Sequence, residues 1–153
     1  MSPQMLAALP RFLEFLALTL SIYNVGVAWA LAVVHYPTWR DLAPDQTGRA
    51  ARAHLVRMAM ATTVPSMFAY MAVAMLVWVV PHPGTLFYAA TIANLVNVLV
   101  VVWSLLIERP ALLRLARGAD DARAMRRIVS GSFVIALGWT VESLIVLWIV
   151  LRI

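Results

Sequence analysis

Seven acidic side chains, three histidines and no cysteine form the reactive inventory of this chain of 153 residues. The missing cysteines exclude disulfides, thiolate metal sites, iron–sulfur ligation and cysteine nucleophiles. The remaining groups divide by context. Glu142 and the amides Asn24, Asn94 and Asn97 each lie inside a long apolar run, and Tyr70 and Trp139 occupy similar positions. Together they form a candidate polar or ligand-binding cluster. His35 and His54 lie at the ends of such runs. Neutral imidazole ligates metals, so these two are candidate ligands for a haem or a pigment. No two histidines have helical i, i+4 spacing, and the carboxylate-plus-His pattern of a di-metal bundle is absent. His82, in a Pro81-His82-Pro83-Gly84 turn, ranks behind them. The chain also lacks a phosphate-binding Gly loop, a G-x-S-x-G elbow and an H-E-x-x-H helix, so no catalytic residue is assigned.

The elements that position these groups follow from composition. The chain is 63% hydrophobic and 12% charged, whereas a soluble domain is about half apolar and a quarter charged. So short a chain cannot hide that much apolar surface from water. Four apolar runs, about 11–35, 57–80, 84–108 and 128–151, each reach the ~20 helical residues that cross a hydrocarbon core. They do not alternate as barrel strands do. The expected fold is all-α: one domain, 1–153, an antiparallel four-helix bundle in a membrane. Arg11, the following apolar run and Ala28-Trp29-Ala30 loosely imitate a signal peptide, but the run is too long for an h-region and reads as a retained anchor.

Charge orients the bundle. All twelve basic residues are Arg, and ten fall in the two connections 36–57 and 108–127. The positive-inside rule places these connections in the cytoplasm and both termini on the other side. Pro44-Asp45 reads as a helix start, Gly118 as a helix stop and Asp120-Asp121 as a cap. Helices 2–4 should therefore extend past the membrane by about two turns, ~10–15 Å. The resulting collar of Arg49, Arg52, Arg57, Arg114, Arg117, Arg123, Arg126 and Arg127 is a candidate contact for anionic lipid or a partner subunit. Nucleic acid is not expected, because no stacking aromatics are interleaved with these arginines. Tyr36 and Trp39 at one boundary, and Trp78, Phe87, Tyr88 and Trp148 at the other, read as an aromatic belt.

Each helix also carries a polar or small-residue stripe at helical spacing: Glu14, Ser21, Asn24, Ala28; Thr62, Ser66, Tyr70; Asn94, Asn97, Ser104, Glu108; Gly131, Gly138, Glu142. Such stripes should face inward, where small residues let helices approach and amides bond across them. Gly26 with Ala30 offers a further notch. A charge near mid-span costs ~3 kcal/mol or more. Glu142 is therefore expected to be neutral and hydrogen-bonded to Asn94 or Asn97.

Several segments carry a resemblance: Trp29 with Val34-His35-Tyr36-Pro37, then Ala53-His54-Leu55-Val56-Arg57, the run Arg109-Pro110-Ala111-Leu112-Leu113-Arg114-Leu115-Ala116-Arg117-Gly118, and Gly138-Trp139. Over about 20–150 the chain resembles an uncharacterised family of small bacterial four-helix membrane proteins, loosely anthrone-oxygenase-like. The family pattern has a His where Leu112 stands, a Glu near Tyr70 and an Arg where Glu142 stands. Those departures speak against an inherited enzymatic activity. The expectation is a non-catalytic accessory subunit at the edge of a larger, energy-transducing membrane complex, packed against other subunits, copies of itself and lipid. The alternative is a small oxidoreductase or oxygenase-like protein binding an apolar ligand such as a quinone at the polar cluster. The residues themselves require no cofactor.

Overall fold

A computed structural model describes residues 3–80, 83–118 and 121–151, with side chains from residue 8 onward except those of Pro44 and Ala59. Pro81, His82, Asp120 and Arg152 lie outside the described residues. Among the described residues there is no strand. Four helical stretches, Ala8–Asp41, Met60–Val79, Thr85–Ala116 and Ala122–Leu151, are long and apolar enough to cross a membrane. Helix 1 is α-helical over Pro3–Ala30 and continues through a π turn at Leu31–His35 to a closing 3-10 turn at Trp39–Asp41. Helix 2 begins at Pro44, passes a π turn at Ala59–Thr63 and ends at Val79. Helix 3 runs from Thr85 to Ala116 with a π turn at Ser104–Glu108, and helix 4 spans Ala122–Leu151.

The three π turns share one cause in the sequence. Each ends two residues before a proline: His35 before Pro37, Thr63 before Pro65, Glu108 before Pro110. Proline has no N–H for the carbonyl four residues back, and its ring collides with that carbonyl. Opening one turn to i→i+5 spacing relieves the collision without unwinding the helix. The freed carbonyl needs another donor in an apolar setting. At Ala61, four residues before Pro65, the Tyr23 hydroxyl supplies it at 2.9 Å. Helix 3 thereby continues past Pro110 to Ala116.

The helix ends follow local rules. Asp121 caps helix 4, its Oδ1 accepting from the N–H groups of Arg123 and Ala124 at 2.9 and 3.0 Å. Those bonds, the Ala124 one foremost, hold its carboxyl below the usual range. Helix 3 stops at Gly118, which takes φ +85°, a left-handed conformation that favours glycine. Its N–H returns to the Leu115 carbonyl at 2.9 Å, and the Arg52 guanidinium donates to the Ala116 carbonyl.

The interior mixes large apolar side chains such as Leu76, Ile128 and Ile149 with small and polar ones, Ala17, Ala32, Ala51, Ala69, Ala90, Ala93 and Ala136 being fully buried beside Glu14, Ser21, Asn97 and Glu142. Other large apolar side chains such as Phe12, Met60, Trp78 and Leu106 face outward, as a lipid surround requires. Helices 1 and 4 meet along their length, Arg11 bonding the Val150 carbonyl, Ser21 bonding Glu142, and Trp29 bonding Thr140. Two expectations are corrected. Gly26 and Ala30 face outward, with no neighbouring atom within 4 Å of a Cβ built on Gly26, so they form no notch. Tyr36 and Trp39 are 1% and 4% exposed, because the chain folds the helix 1 extension into the bundle. They are core residues, not part of an interfacial belt.

Helices 3 and 4 pack tightly at Gly138, where a Cβ would come 2.4 Å from Val100 Cγ2. The branched Val100 side chain has little rotamer freedom to yield. Gly138→Ala should cost about 1–3 kcal/mol of stability, read as a lower melting temperature in detergent. Adding Val100→Ala should recover part of the loss, whereas Gly26→Ala should be nearly neutral. Equal melting of Gly138→Ala and wild type would contradict this packing.

Candidate functional site: a cavity bordered by the π turns

A cavity of about 630 Å³ opens beside the three π turns and draws its lining from all four helices. Most of its wall is apolar, including Val27, Leu31, Met58, Met67, Leu105 and Ile135. Polar groups gather at its two ends. Tyr36, His54, Glu108 and Arg109 line the end nearer the Arg-bearing connections, and Asn24, Ser66, Tyr70 and Trp139 line the other. Thr62, Thr63 and Ser104 lie between them in sequence position along helices 2 and 3.

The first end is a hydrogen-bonded chain of side chains. His35 Nε2 lies 3.1 Å from His54 Nδ1, and His54 Nε2 lies 3.0 Å from Tyr36 Oη. Tyr36 Oη donates to Glu108 Oε1 at 2.9 Å, and Ser104 Oγ donates to Glu108 Oε2 at 3.2 Å. The two imidazoles stack with centroids 5.1 Å apart, and Trp39 packs edge-on against both. The π turns aim these groups: His35 closes the first, while Ser104 and Glu108 open and close the third. Helix 2 brings His54 from the stretch before its membrane span. Burial, reinforced by the neighbouring His35, lowers the His54 pKa to about 4. His54 is thus a neutral ring at physiological pH.

At the other end, Ser66 Oγ donates to Asn24 Oδ1 at 3.1 Å. The Asn24 Nδ2 group is buried and makes no hydrogen bond. Asn24 lines the cavity, with this nitrogen itself enclosed by protein. Tyr70 and Trp139, which also line the cavity, stack on each other with centroids 5.3 Å apart and planes 18° from parallel.

The histidine pair does not make a metal site by itself. Two nitrogens on one tetrahedral metal at 2.0–2.1 Å would stand about 3.4 Å apart, close to the observed 3.1 Å. Yet no group of three His, Cys, Asp or Glu able to hold a metal ion exists among the described residues. Tyr36 separates Glu108 from His54, since its hydroxyl bonds both. The spacing fits a proton shared between two rings.

The structure distributes the expected cluster over two places. Asn24, Tyr70 and Trp139 line the cavity; Asn97 and Glu142 do not. Glu142 is 0% exposed, and its Oε1 accepts from Ser21 Oγ at 2.9 Å. Asn97 is its polar neighbour, but Glu142 Oε2 and both amide atoms of Asn97 reach no partner within bonding geometry. The donor to the carboxyl is therefore on helix 1, not Asn94, which is half-buried on helix 3. Nearer the end of helix 1, Glu14 is buried and paired with Arg11 at 2.9 Å. The collar arginines are exposed; Arg49 pairs with Asp45 at 2.8 Å and Arg114 approaches Asp121 at 3.9 Å. The expected site omitted Tyr36, Ser66, Ser104, Glu108 and Arg109. Tyr36 and Glu108 were detectable as a phenol and a carboxyl at the same helical depth as His35 and His54.

The low His54 pKa sets a pH dependence. The unfolded imidazole titrates near 6.5 and the folded one near 4, so between those values the unfolded state binds more protons. Stability from this group is therefore complete above 6.5 and declines as pH falls towards 4. Melting temperature in detergent should drop between neutral pH and pH about 5, and the drop should shrink in His54→Gln. An identical drop in both proteins would show that His54 is solvated.

Comparison of the chain with known protein families, curated proteins and solved structures returns no match.

Proposed function

We propose that this chain is a multi-pass protein of a bacterial inner membrane that binds an apolar, ring-bearing ligand with a hydrogen-bond acceptor, of the quinone class. One observation carries the reading: a largely apolar cavity is lined by the amide side chain of Asn24 and by the stacked rings of Tyr70 and Trp139. Ligand sites are mostly apolar concavities with a few convergent polar groups. A turn of the Asn24 amide would present its N–H to a ligand carbonyl and relieve a desolvation cost of about 1–3 kcal/mol. The ring would extend the Tyr70–Trp139 stack from one of its outer faces, since flat π systems prefer offset stacking. π turns inside α-helices often occur at functional sites, and here three of them border the cavity.

The positive-inside rule supports an antiparallel bundle with the Arg-bearing connections in the cytoplasm and both termini outside. The contacts of Arg11 with Val150 and Ser21 with Glu142 agree with opposed directions for helices 1 and 4. A second reading, an accessory subunit of a larger complex, draws support from the exposed arginines at one end of the bundle. Anionic headgroups would attract the same collar.

Titrating the nanodisc-embedded protein with decylubiquinone should quench Trp fluorescence saturably. Asn24→Leu should weaken binding about fivefold to tenfold, the worth of one hydrogen bond of ~1 kcal/mol or slightly more. Arg126→Ala should leave it unchanged. Absence of saturable quenching, or equal affinity in Asn24→Leu, would remove the ligand reading. Stoichiometric membrane partners on mild-detergent purification would then favour the subunit.

Topology has its own test, helped by the absence of native cysteine. A membrane-impermeant maleimide should label Gly84→Cys in intact cells and Arg117→Cys only after permeabilisation. The opposite pattern would invert the bundle.

A further inference from the structure

We infer that His35, His54, Tyr36 and Glu108 form a proton relay between the Arg-bearing end of the bundle and the cavity, polarised towards Glu108 at rest; its use rests on the ligand reading above.

The direction follows from the donor inventory. Tyr36 has one hydroxyl proton and, with Glu108 as a carboxylate, gives it to Oε1. Its oxygen can then only accept at the 3.0 Å contact with His54 Nε2, so that nitrogen carries hydrogen. A neutral His54 must leave Nδ1 bare, and Nδ1 accepts from His35 Nε2 across 3.1 Å. Every link thus points towards Glu108. The outer end, His35, is half-buried and does not line the cavity, whereas the other three members do. Glu108 is the one carboxyl in the lining.

Passage of a proton balances bond by bond. Water protonates His35 Nδ1. The His35 Nε2–H bond breaks as His54 Nδ1–H forms, and the His54 Nε2–H bond breaks as a new Tyr36 O–H forms. The original Tyr36 proton goes to Glu108. The net change is one proton from water to the carboxylate, with no tyrosinate or imidazolium left behind. Both rings then carry hydrogen on Nδ1, and they must exchange tautomers before the next passage. An apolar ligand would expel water from the cavity, and the side-chain chain would keep Glu108 in exchange with the face beyond His35.

Two measurements test this. Nitrogen NMR of labelled histidine in the empty protein needs no ligand. Wild type should show both rings in the Nε2–H form. Tyr36→Phe should switch both to Nδ1–H, although His35 does not touch the lost hydroxyl; simple packing would not couple them. A wild-type His54 with hydrogen on Nδ1 overturns the relay. The second measurement is a light-triggered pH jump on protein loaded with decylubiquinone, following the infrared carboxyl band that Glu108→Gln removes. Protonation should slow about tenfold or more in Tyr36→Phe and His35→Ala. Added imidazole should restore His35→Ala alone. Equal rates in Tyr36→Phe and wild type overturn the proposal. If decylubiquinone does not bind, the ligand reading falls alone, and the tautomers still decide the relay.

Discussion

In a helix surrounded by hydrocarbon, every main-chain carbonyl must find a donor within the protein, because no water is present to supply one. Three prolines challenge that requirement here, and the local geometry is the response. Pro37, Pro65 and Pro110 each leave the carbonyl four residues back without its usual N–H. In each case the preceding turn widens to a π turn. At Ala61 a side chain from another helix completes the pairing. Because a π turn inserts an extra residue, the helix beyond it is rotated relative to the helix before it. That rotation lets His35 and Tyr36, adjacent in sequence, reach the same His54 ring through different atoms.

Close packing and open space occur in the same bundle for complementary reasons. Away from the π turns, alanine and glycine allow direct contact, with Gly138 against Val100 leaving no room for a methyl group. Interhelical dispersion then replaces the hydrophobic drive that lipid cannot supply. Near the π turns the helices cannot close up, because a widened turn carries a broader backbone. A void in that position would remain dry if its wall were wholly apolar. The wall instead carries hydroxyls, an amide and a carboxyl, so the space suits a molecule that is both apolar and able to accept a hydrogen bond.

Much of the frame was legible in the sequence. Run lengths and the grouping of arginines mark four spans, because burial in lipid imposes a length and a composition that no other fold shares. Gly118 as a stop and Asp121 as a cap were readable because their signals are local. The site was less legible, since depth along a helix is visible in sequence but rotation about its axis is not. Counting along straight helices grouped Asn94 and Asn97 with Glu142, and Asn97 is indeed its neighbour; the bonded donor, Ser21, is on a helix distant in sequence. Tyr36 was assigned to an interfacial belt because its rotation depends on the preceding π turn. The spacing of prolines two residues beyond each such turn is the signal that was present, though Pro10 sits within helix 1 and no π turn adjoins it, so the rule is not sufficient alone.

The two carboxyls deepest in the argument show why access, more than burial, separates chemistry from architecture. Glu142 is enclosed, has one hydroxyl donor and does not line the cavity. With no basic group bonded to it among the described residues, it suits the neutral form and a role in fixing how helices 1 and 4 face one another. Glu108 has both oxygens engaged by hydroxyls, borders the cavity and sits beside the exposed Arg109. A carboxyl held by donors on two sides can gain or lose a proton without rearranging its neighbours, because its partners are hydroxyls that can rotate. A carboxyl in mid-membrane is usually a functional suspect; in this bundle the contacts point to the one at the membrane's edge.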